Sequence, residues 1–233
     1  VRIKSEKACK DTINSYRHKF DDKFLYMNVF LTASLLFVSM TIGFKQSALP
    51  VPAPNDAETP ARIIPGADQT EKYIPYLKGK RIAILANPTS RIGNKHLVDS
   101  LKARGINIVK VFGPEHGFRG NVGAGVKVAD QIDPDTGIPI ISLYGPKRKP
   151  SKEDMADVDL MIYDVQDVGC RFFTYINVLA LLMETCATYG KELLILDRPN
   201  PNGYLIDGPV LDMSLKSGIG KFPLPISHGL TIA

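Results

Sequence analysis

The sequence lacks the short motifs that identify many nucleotide-, metal- and serine-dependent enzymes. No GxGxxG follows the first predicted strand, where Asn87-Pro88-Thr89-Ser90 stands instead, so the dinucleotide fingerprint is missing. The chain also has no Walker-type phosphate loop, no GxSxG nucleophile elbow and no HExxH helix. These absences count against NAD binding, phosphoryl transfer and serine hydrolysis, and we expect neither a cofactor nor a metal site.

Cysteine is scarce, and its spacing excludes a zinc finger or a CxxC redox motif. The three cysteines are Cys9, Cys170 and Cys186. The last two could pair as a disulfide in an oxidising compartment, but we expect buried free thiols.

The domain also lacks a strong basic excess. The formal net charge is +5, but the first 23 residues hold seven Lys or Arg against four Asp or Glu. Most of the positive charge therefore precedes the globular part, and nucleic-acid binding is not expected.

Three regions follow from composition. Residues 1–48 contain an apolar stretch over 24–44 after Lys19 and Lys23, which is typical of a signal peptide or an uncleaved membrane anchor. Residues 49–77 are rich in proline and are predicted to form a linker. Residues 78–233 are predicted to form the folded domain, and the leader implies export to the periplasm or the cell exterior.

Apolar runs of strand length alternate with helical patterns in this domain. The predicted strands cover 81–86, 107–112, 138–143, 160–165 and 193–196. Helices are predicted over 93–104, from Ser151 and over 172–189. This order indicates an α/β fold with a mainly parallel, doubly wound sheet.

Polar loops follow each predicted strand and should meet at the carboxyl edge of the sheet, where such folds bind ligands. Glycoside hydrolysis commonly uses one carboxylic acid on the leaving oxygen and a second group on the anomeric carbon or a water. Glu115, in a glycine-bounded turn, is the predicted acid, and Asp164 or Asp167 is the candidate for the second role. Either aspartate could instead cap a helix.

Six strings resemble the motif series of the exo-β-N-acetylmuramidase family, in family order. They are GPEHGFRG (113–120), SLYG (142–145), YDVQDVGCRFFTY (163–175), LDRPNPNG (196–203), GPVLD (208–212) and SHGLTIA (227–233). The resemblance implies a Rossmann-like domain, a second C-terminal domain largely missing from this chain, and release of terminal N-acetylmuramic acid from peptidoglycan fragments. It also implies that Glu115 is the catalytic acid, with His116 and Arg119 beside it.

Such a substrate carries a lactyl carboxylate, which arginine can bind with two parallel hydrogen bonds. Arg119, Arg171 and Arg198 are the candidate cations, although Arg198 could instead form an ion pair with Asp197. Asn87, Gln166 and Asn200 are candidates for sugar hydroxyls or the acetamido group. The remaining candidates at the substrate site are Asp167, Tyr175 and His228, whereas His96 is expected to face solvent.

Two other classes of function remain open at this point. One is a wall-binding module without turnover, and the other is a sugar-modifying enzyme that uses a nucleotide or a metal.

Overall fold

A computed structural model describes residues 2–4, 63–120 and 131–233. The strands are β1 (Arg2–Lys4), β2 (Ile82–Ala86), β3 (Arg91–Ile92), β4 (Lys95–His96), β5 (Ile108–Gly113), β6 (Gln131–Ile132), β7 (Pro139–Ser142), β8 (Leu160–Asp164), β9 (Glu192–Ile195), β10 (Ile206–Asp207) and β11 (Ser227–His228). The α-helices are α1 (Thr70–Leu77), α2 (Leu97–Ala103), α3 (Lys152–Met155) and α4 (Tyr175–Thr188), and short 3-10 helices cover Gly66–Asp68 and Met213–Leu215.

A seven-stranded sheet with the order β1-β9-β8-β2-β5-β7-β6 forms the centre of the domain. The five strands from β9 to β7 are parallel, and the short edge strands β1 and β6 are antiparallel to their neighbours. These five strands are the five predicted from the apolar runs. The mainly parallel α/β arrangement is therefore confirmed.

Both faces of the sheet are covered. Tyr163 of β8 packs into one core with Leu179 and Leu182 of α4. Its neighbour Ile162 points to the other face, where the second core includes Leu97 of α2. Strands buried on both faces need no alternation of apolar and polar residues, which explains their continuous apolar runs.

The helix predicted over 93–104 begins later, at Leu97. The preceding residues form a small hairpin of β3 and β4, and Gly93 turns it with a φ of 54°. The helix predicted from Ser151 is confirmed as α3. Its Ser151 hydroxyl accepts from the N–H of Asp154, whose carboxylate accepts from the N–H of Ser151.

The C-terminal part of the predicted linker is folded. α1 lies within 49–77, and Tyr73 and Leu77 on it are fully buried in the core. Their four-residue spacing places them on one helix face, a pattern that the nearby prolines mask. The predicted leader over 24–44 and the rest of the linker up to residue 62 lie outside the described residues.

The two cysteines of the domain are not joined to each other by a disulfide. Cys170 is half-buried and Cys186 is fully buried. Within the described segments, every helix is too short or too polar to cross a bilayer.

Candidate active site

The loops after the five parallel strands leave the sheet at one edge. Ala86 of β2 pairs with Asp164 of β8, and Gly113 of β5 pairs with Ser142 of β7, so these strands end together. In an open α/β sheet this carboxyl edge is the usual place for a ligand. The predicted meeting of the polar loops is confirmed by this topology.

Glu115 and Tyr144 lie side by side at this edge. Each stands two positions beyond a residue of the paired couple Gly113 and Ser142, and the Leu143 N–H donates to the Gly113 carbonyl over 2.9 Å. A hydrogen bond with Glu115 raises the pKa of the Tyr144 hydroxyl. Tyr144 is absent from the residues predicted above, although the SLYG string contains it.

The turn that carries Glu115 has a left-handed backbone. The Gly117 N–H donates to the Pro114 carbonyl over 2.9 Å, and His116 between them has a φ of 70°. This conformation costs an L-residue about 1–2 kcal/mol and persists only where the surroundings fix it. The His116 backbone therefore helps to aim Glu115, and a proton-carrying role for its exposed imidazole stays a prediction.

Tyr175 lies near Glu115 and contacts Asn87. Tyr175 opens α4 and is 8% exposed. Burial raises the pKa of its hydroxyl, a hydrogen bond with the Asn87 side chain lowers it, and the charge of Glu115 raises it again. Asn87, Glu115, Tyr144 and Tyr175 thus form one polar group, which we call the Glu115 cluster.

Asn87 is held from several sides. Its side-chain oxygen accepts from the N–H and the hydroxyl of Thr89, at 2.9 and 2.6 Å. Its carbonyl lies 3.0 Å from Nε2 of His96. His96 is buried rather than solvent-facing, and its other ring nitrogen accepts from the Val98 N–H at the start of α2. The predicted exposure of His96 is therefore wrong, because a histidine that caps a helix can be buried without any apolar pattern around it.

Asp164 and Arg198 form a buried ion pair. Nε and Nη2 of Arg198 donate to the two carboxylate oxygens over 2.7 and 2.9 Å, and Nη2 also donates to the Arg91 carbonyl over 2.9 Å. The Asp164 side chain is fully buried and that of Arg198 is 9% exposed. Arg198 therefore pairs with Asp164 and not with Asp197, which accepts only its backbone N–H. Both residues are occupied in holding loops together, which argues against direct contact with substrate.

Arg119 is likewise occupied by the protein's own carboxylates. It donates to Asp99 over 2.8 and 3.0 Å and to Asp133 over 2.7 and 2.9 Å. Asp99 lies in α2 and Asp133 follows β6, so the guanidinium joins two separate elements. This geometry favours a structural role for Arg119 over the predicted role in binding a substrate carboxylate.

Asp167 and His228 face each other in a buried position. Nε2 of His228 lies 3.8 Å from Oδ2 of Asp167, too far for a hydrogen bond. Burial raises the pKa of Asp167 and lowers that of His228, so both shifts favour the neutral forms. The Gly169 N–H donates to Asp167 over 3.0 Å, which gives this carboxylate a role in the loop after β8.

The other three predicted binders contact backbone carbonyls. Gln166 donates to Pro199, Arg171 to Pro209 and Leu224, and Asn200 to Leu230, at distances between 2.7 and 3.0 Å. These bonds join the loops after β8 and β9 to the segment that contains β11. Contacts of these residues with a sugar stay predictions.

The described parts of the chain hold no group of three or more His, Cys, Asp or Glu side chains arranged to bind a metal ion.

The fold and this edge define a class: a doubly wound, Rossmann-like α/β domain that presents a carboxyl group at the carboxyl edge of its sheet. The family model described as exo-β-N-acetylmuramidase NamZ, N-terminal, matches residues 82–233. The chain belongs to this family, as the motif series predicts.

Individual relatives agree. The chain is 41% identical over 207 residues to peptidoglycan β-N-acetylmuramidase NamZ of Bacillus subtilis (strain 168), covering 87% of this chain and 49% of that protein. Crystal structures of two DUF1343 family proteins from Bacteroides fragilis match with TM-scores of 0.66 and 0.65 and identities of 51% and 40%. These matches cover 74% and 72% of this chain and 45% and 43% of those chains. The chain thus spans about half the length of the relatives it matches.

Proposed function

We propose that this domain belongs to an exported glycoside hydrolase that releases terminal N-acetylmuramic acid from the non-reducing ends of peptidoglycan fragments. The observation that carries the proposal is the position of Glu115 at the carboxyl edge of the sheet, with Tyr144 and Tyr175 beside it. The relation to the Bacillus enzyme supports the substrate class.

In this mechanism Glu115 protonates the glycosidic oxygen as the bond to the anomeric carbon breaks. Tyr144 holds one oxygen of the carboxyl group through its hydrogen bond, which leaves the other oxygen to carry the proton. The left-handed turn at His116 fixes the backbone from which the acid projects. Tyr175 provides a polar group for a hydroxyl or acetamido contact, and Asn87, which is buried and hydrogen-bonded to Tyr175, positions it.

A second group must act on the anomeric carbon or on a water. Asp164 is a poor candidate, because both of its oxygens accept hydrogen bonds from Arg198 and its side chain is fully buried. We therefore propose that Asp164 positions the loops. Within the Glu115 cluster we assign only the role of general acid, which belongs to Glu115.

The test of the acid is Glu115→Gln, which keeps the shape of the side chain and removes its proton. We expect hydrolysis of a chromogenic N-acetylmuramic acid β-glycoside to fall by about 10²–10⁴-fold, the usual contribution of a general acid. Glu71→Gln, an exposed change on α1, is the matched control. Full turnover in Glu115→Gln would refute the acid assignment, and sugar binding without turnover in the unaltered protein would identify a wall-binding module instead.

Export is part of the proposal, because peptidoglycan lies outside the cytoplasmic membrane. The apolar stretch over 24–44 after Lys19 and Lys23 supports it. Recovery of the protein only from the cytoplasm after cell fractionation would contradict it.

A further inference from the structure

A muramic acid residue differs from N-acetylglucosamine by its lactyl carboxylate, and a site that selects it needs an available cation. Four arginines stand on the loops after β5, β7, β8 and β9. Arg119 and Arg198 are held by aspartates of the protein, and Arg171 is held by two backbone carbonyls. The remaining one is Arg148, which is exposed.

Arg148 stands out from its basic neighbours. Lys147 lies 2.7 Å from the Asp154 carboxylate, and Lys149 lies 3.5 Å from that of Glu184. Between them, Arg148 has no ion pair with any residue of the described segments. No carboxylate of residues 63–120 or 131–233 therefore competes with an outside anion for this guanidinium.

The position of Arg148 can be followed through its contacts. Its Nη1 lies 3.8 Å from the place that a β-carbon on Gly218 would occupy. The Gly218 carbonyl accepts from Nδ2 of Asn177 over 2.6 Å. Asn177 belongs to the first turn of α4, which begins at Tyr175 of the Glu115 cluster. The guanidinium thus lies beside a loop that is hydrogen-bonded to the first turn of α4.

An electrostatic effect also links Arg148 to the Glu115 cluster. Arg148 follows Tyr144 by four residues on the loop after β7, and its charge lowers the pKa of the Tyr144 hydroxyl that Glu115 raises. The pKa of the Tyr144 hydroxyl is therefore affected by the charges of both Glu115 and Arg148.

We propose that Arg148 binds the lactyl carboxylate of the terminal muramic acid residue and so sets the preference for this sugar over N-acetylglucosamine. The inference rests on the proposed function. The lactyl group is attached to O3, and C3 is two ring carbons from the anomeric carbon. A cation that binds the lactyl carboxylate should therefore lie near the general acid without contacting it. Arginine suits this role because its planar fork can match both oxygens of a carboxylate.

The experiment compares 4-nitrophenyl β-glycosides of N-acetylmuramic acid and N-acetylglucosamine with wild-type protein, Arg148→Gln, Arg148→Lys and Arg104→Gln. Arg104 is exposed at the C-terminal end of α2, so Arg104→Gln removes the same charge at a position away from the proposed site. We expect Arg148→Gln to lower the ratio of the two kcat/KM values by about 10- to 100-fold, the effect of losing hydrogen bonds to a charged group. The loss should fall on the muramic substrate alone. Arg148→Lys should retain part of the preference, and Arg104→Gln all of it.

A binding measurement separates this inference from the proposed chemistry. In a Glu115→Gln background, calorimetry with the two free sugars should show a preference for N-acetylmuramic acid that Arg148→Gln abolishes. An unchanged preference in Arg148→Gln would overturn the role of Arg148 and leave the acid assignment intact. Wild-type protein that does not distinguish the two sugars would overturn the role of Arg148 and the muramic-acid specificity of the proposed function. Full turnover in Glu115→Gln with a preference that depends on Arg148 would overturn the acid assignment alone.

Discussion

The buried pair of Asp164 and Arg198 gives the sharpest prediction about stability. Arg198→Gln removes three hydrogen bonds and leaves a fully buried carboxylate without its cation. Removing one partner of a buried ion pair typically costs 3–5 kcal/mol, so we expect the free energy of unfolding to fall by about that amount at pH 8. Urea denaturation followed by circular dichroism measures the change.

The loss should depend on pH with a defined sign. Burial raises the pKa of Asp164 to about 6, and the hydrogen bonds and charge of Arg198 act in the opposite direction. Without Arg198 the folded protein binds the proton more tightly than the wild type does, so its stability falls more steeply as pH rises through 6. At pH 5 the carboxyl is mostly protonated, and the expected cost shrinks to about 1–3 kcal/mol, the value of lost hydrogen bonds.

Arg81 and Asp159 provide a matched control. Their guanidinium and carboxylate have the same two-point geometry, at 2.7 and 3.1 Å, but the side chains are 46% and 39% exposed. Arg81→Gln should therefore destabilise the protein much less than Arg198→Gln does. Equal losses in Arg81→Gln and Arg198→Gln, or a loss in Arg198→Gln that is independent of pH, would refute the argument from burial.

Two further predictions concern the Glu115 cluster and the loop after β8. Glu115→Gln should lower the pKa of Tyr144 because the charged hydrogen-bond partner is lost. The pKa is obtained by ultraviolet titration of the phenolate, as the difference between proteins with Tyr144 and with Tyr144→Phe. An unchanged pKa in Glu115→Gln would exclude the contact. Gly169→Ala should destabilise the fold by more than the roughly 1–2 kcal/mol expected for Gly79→Ala. Both glycines have a φ above 70°, but a β-carbon at Gly169 would lie 2.2 Å from Asn200 Nδ2 whereas Gly79 has open space, so equal melting temperatures would contradict the clash.

The sheet could be predicted from sequence because buried parallel strands give continuous apolar runs. Residues 82–86 and 160–164 are fully buried, and no polar residue interrupts their central positions. The start of α2 could not be placed because Gly93 suits a hairpin turn as well as a helix start. α1 lies in the predicted linker because Pro75 and the prolines before it hide the apolar face of Tyr73 and Leu77.

At the site, sequence indicated which residue types gather at the edge but not how they pair. Arg119 contacts Asp99 and Asp133, which are 20 and 14 residues away, and Arg198 contacts Asp164 at a separation of 34. Such separations carry no local pattern, so an arginine free to bind substrate looks the same as one that is already paired. In the sequence Arg148 is one member of the basic run 147–149, and only the pairing of its neighbours in the structure distinguishes it.

The register between β5 and β7 has a consequence for how the loops of this domain can change in length. Glu115 lies two residues past Gly113, Tyr144 lies two residues past Ser142, and Gly113 pairs with Ser142 in the sheet. The strand register therefore fixes the distance between the acid and the phenol. An insertion of a single residue between Gly113 and Glu115, or between Ser142 and Tyr144, would shift one side chain along the edge relative to the other and separate the acid from the phenol. Insertions beyond Tyr144, such as one after Pro146, would leave that spacing intact, so the loop can lengthen only on its outer part.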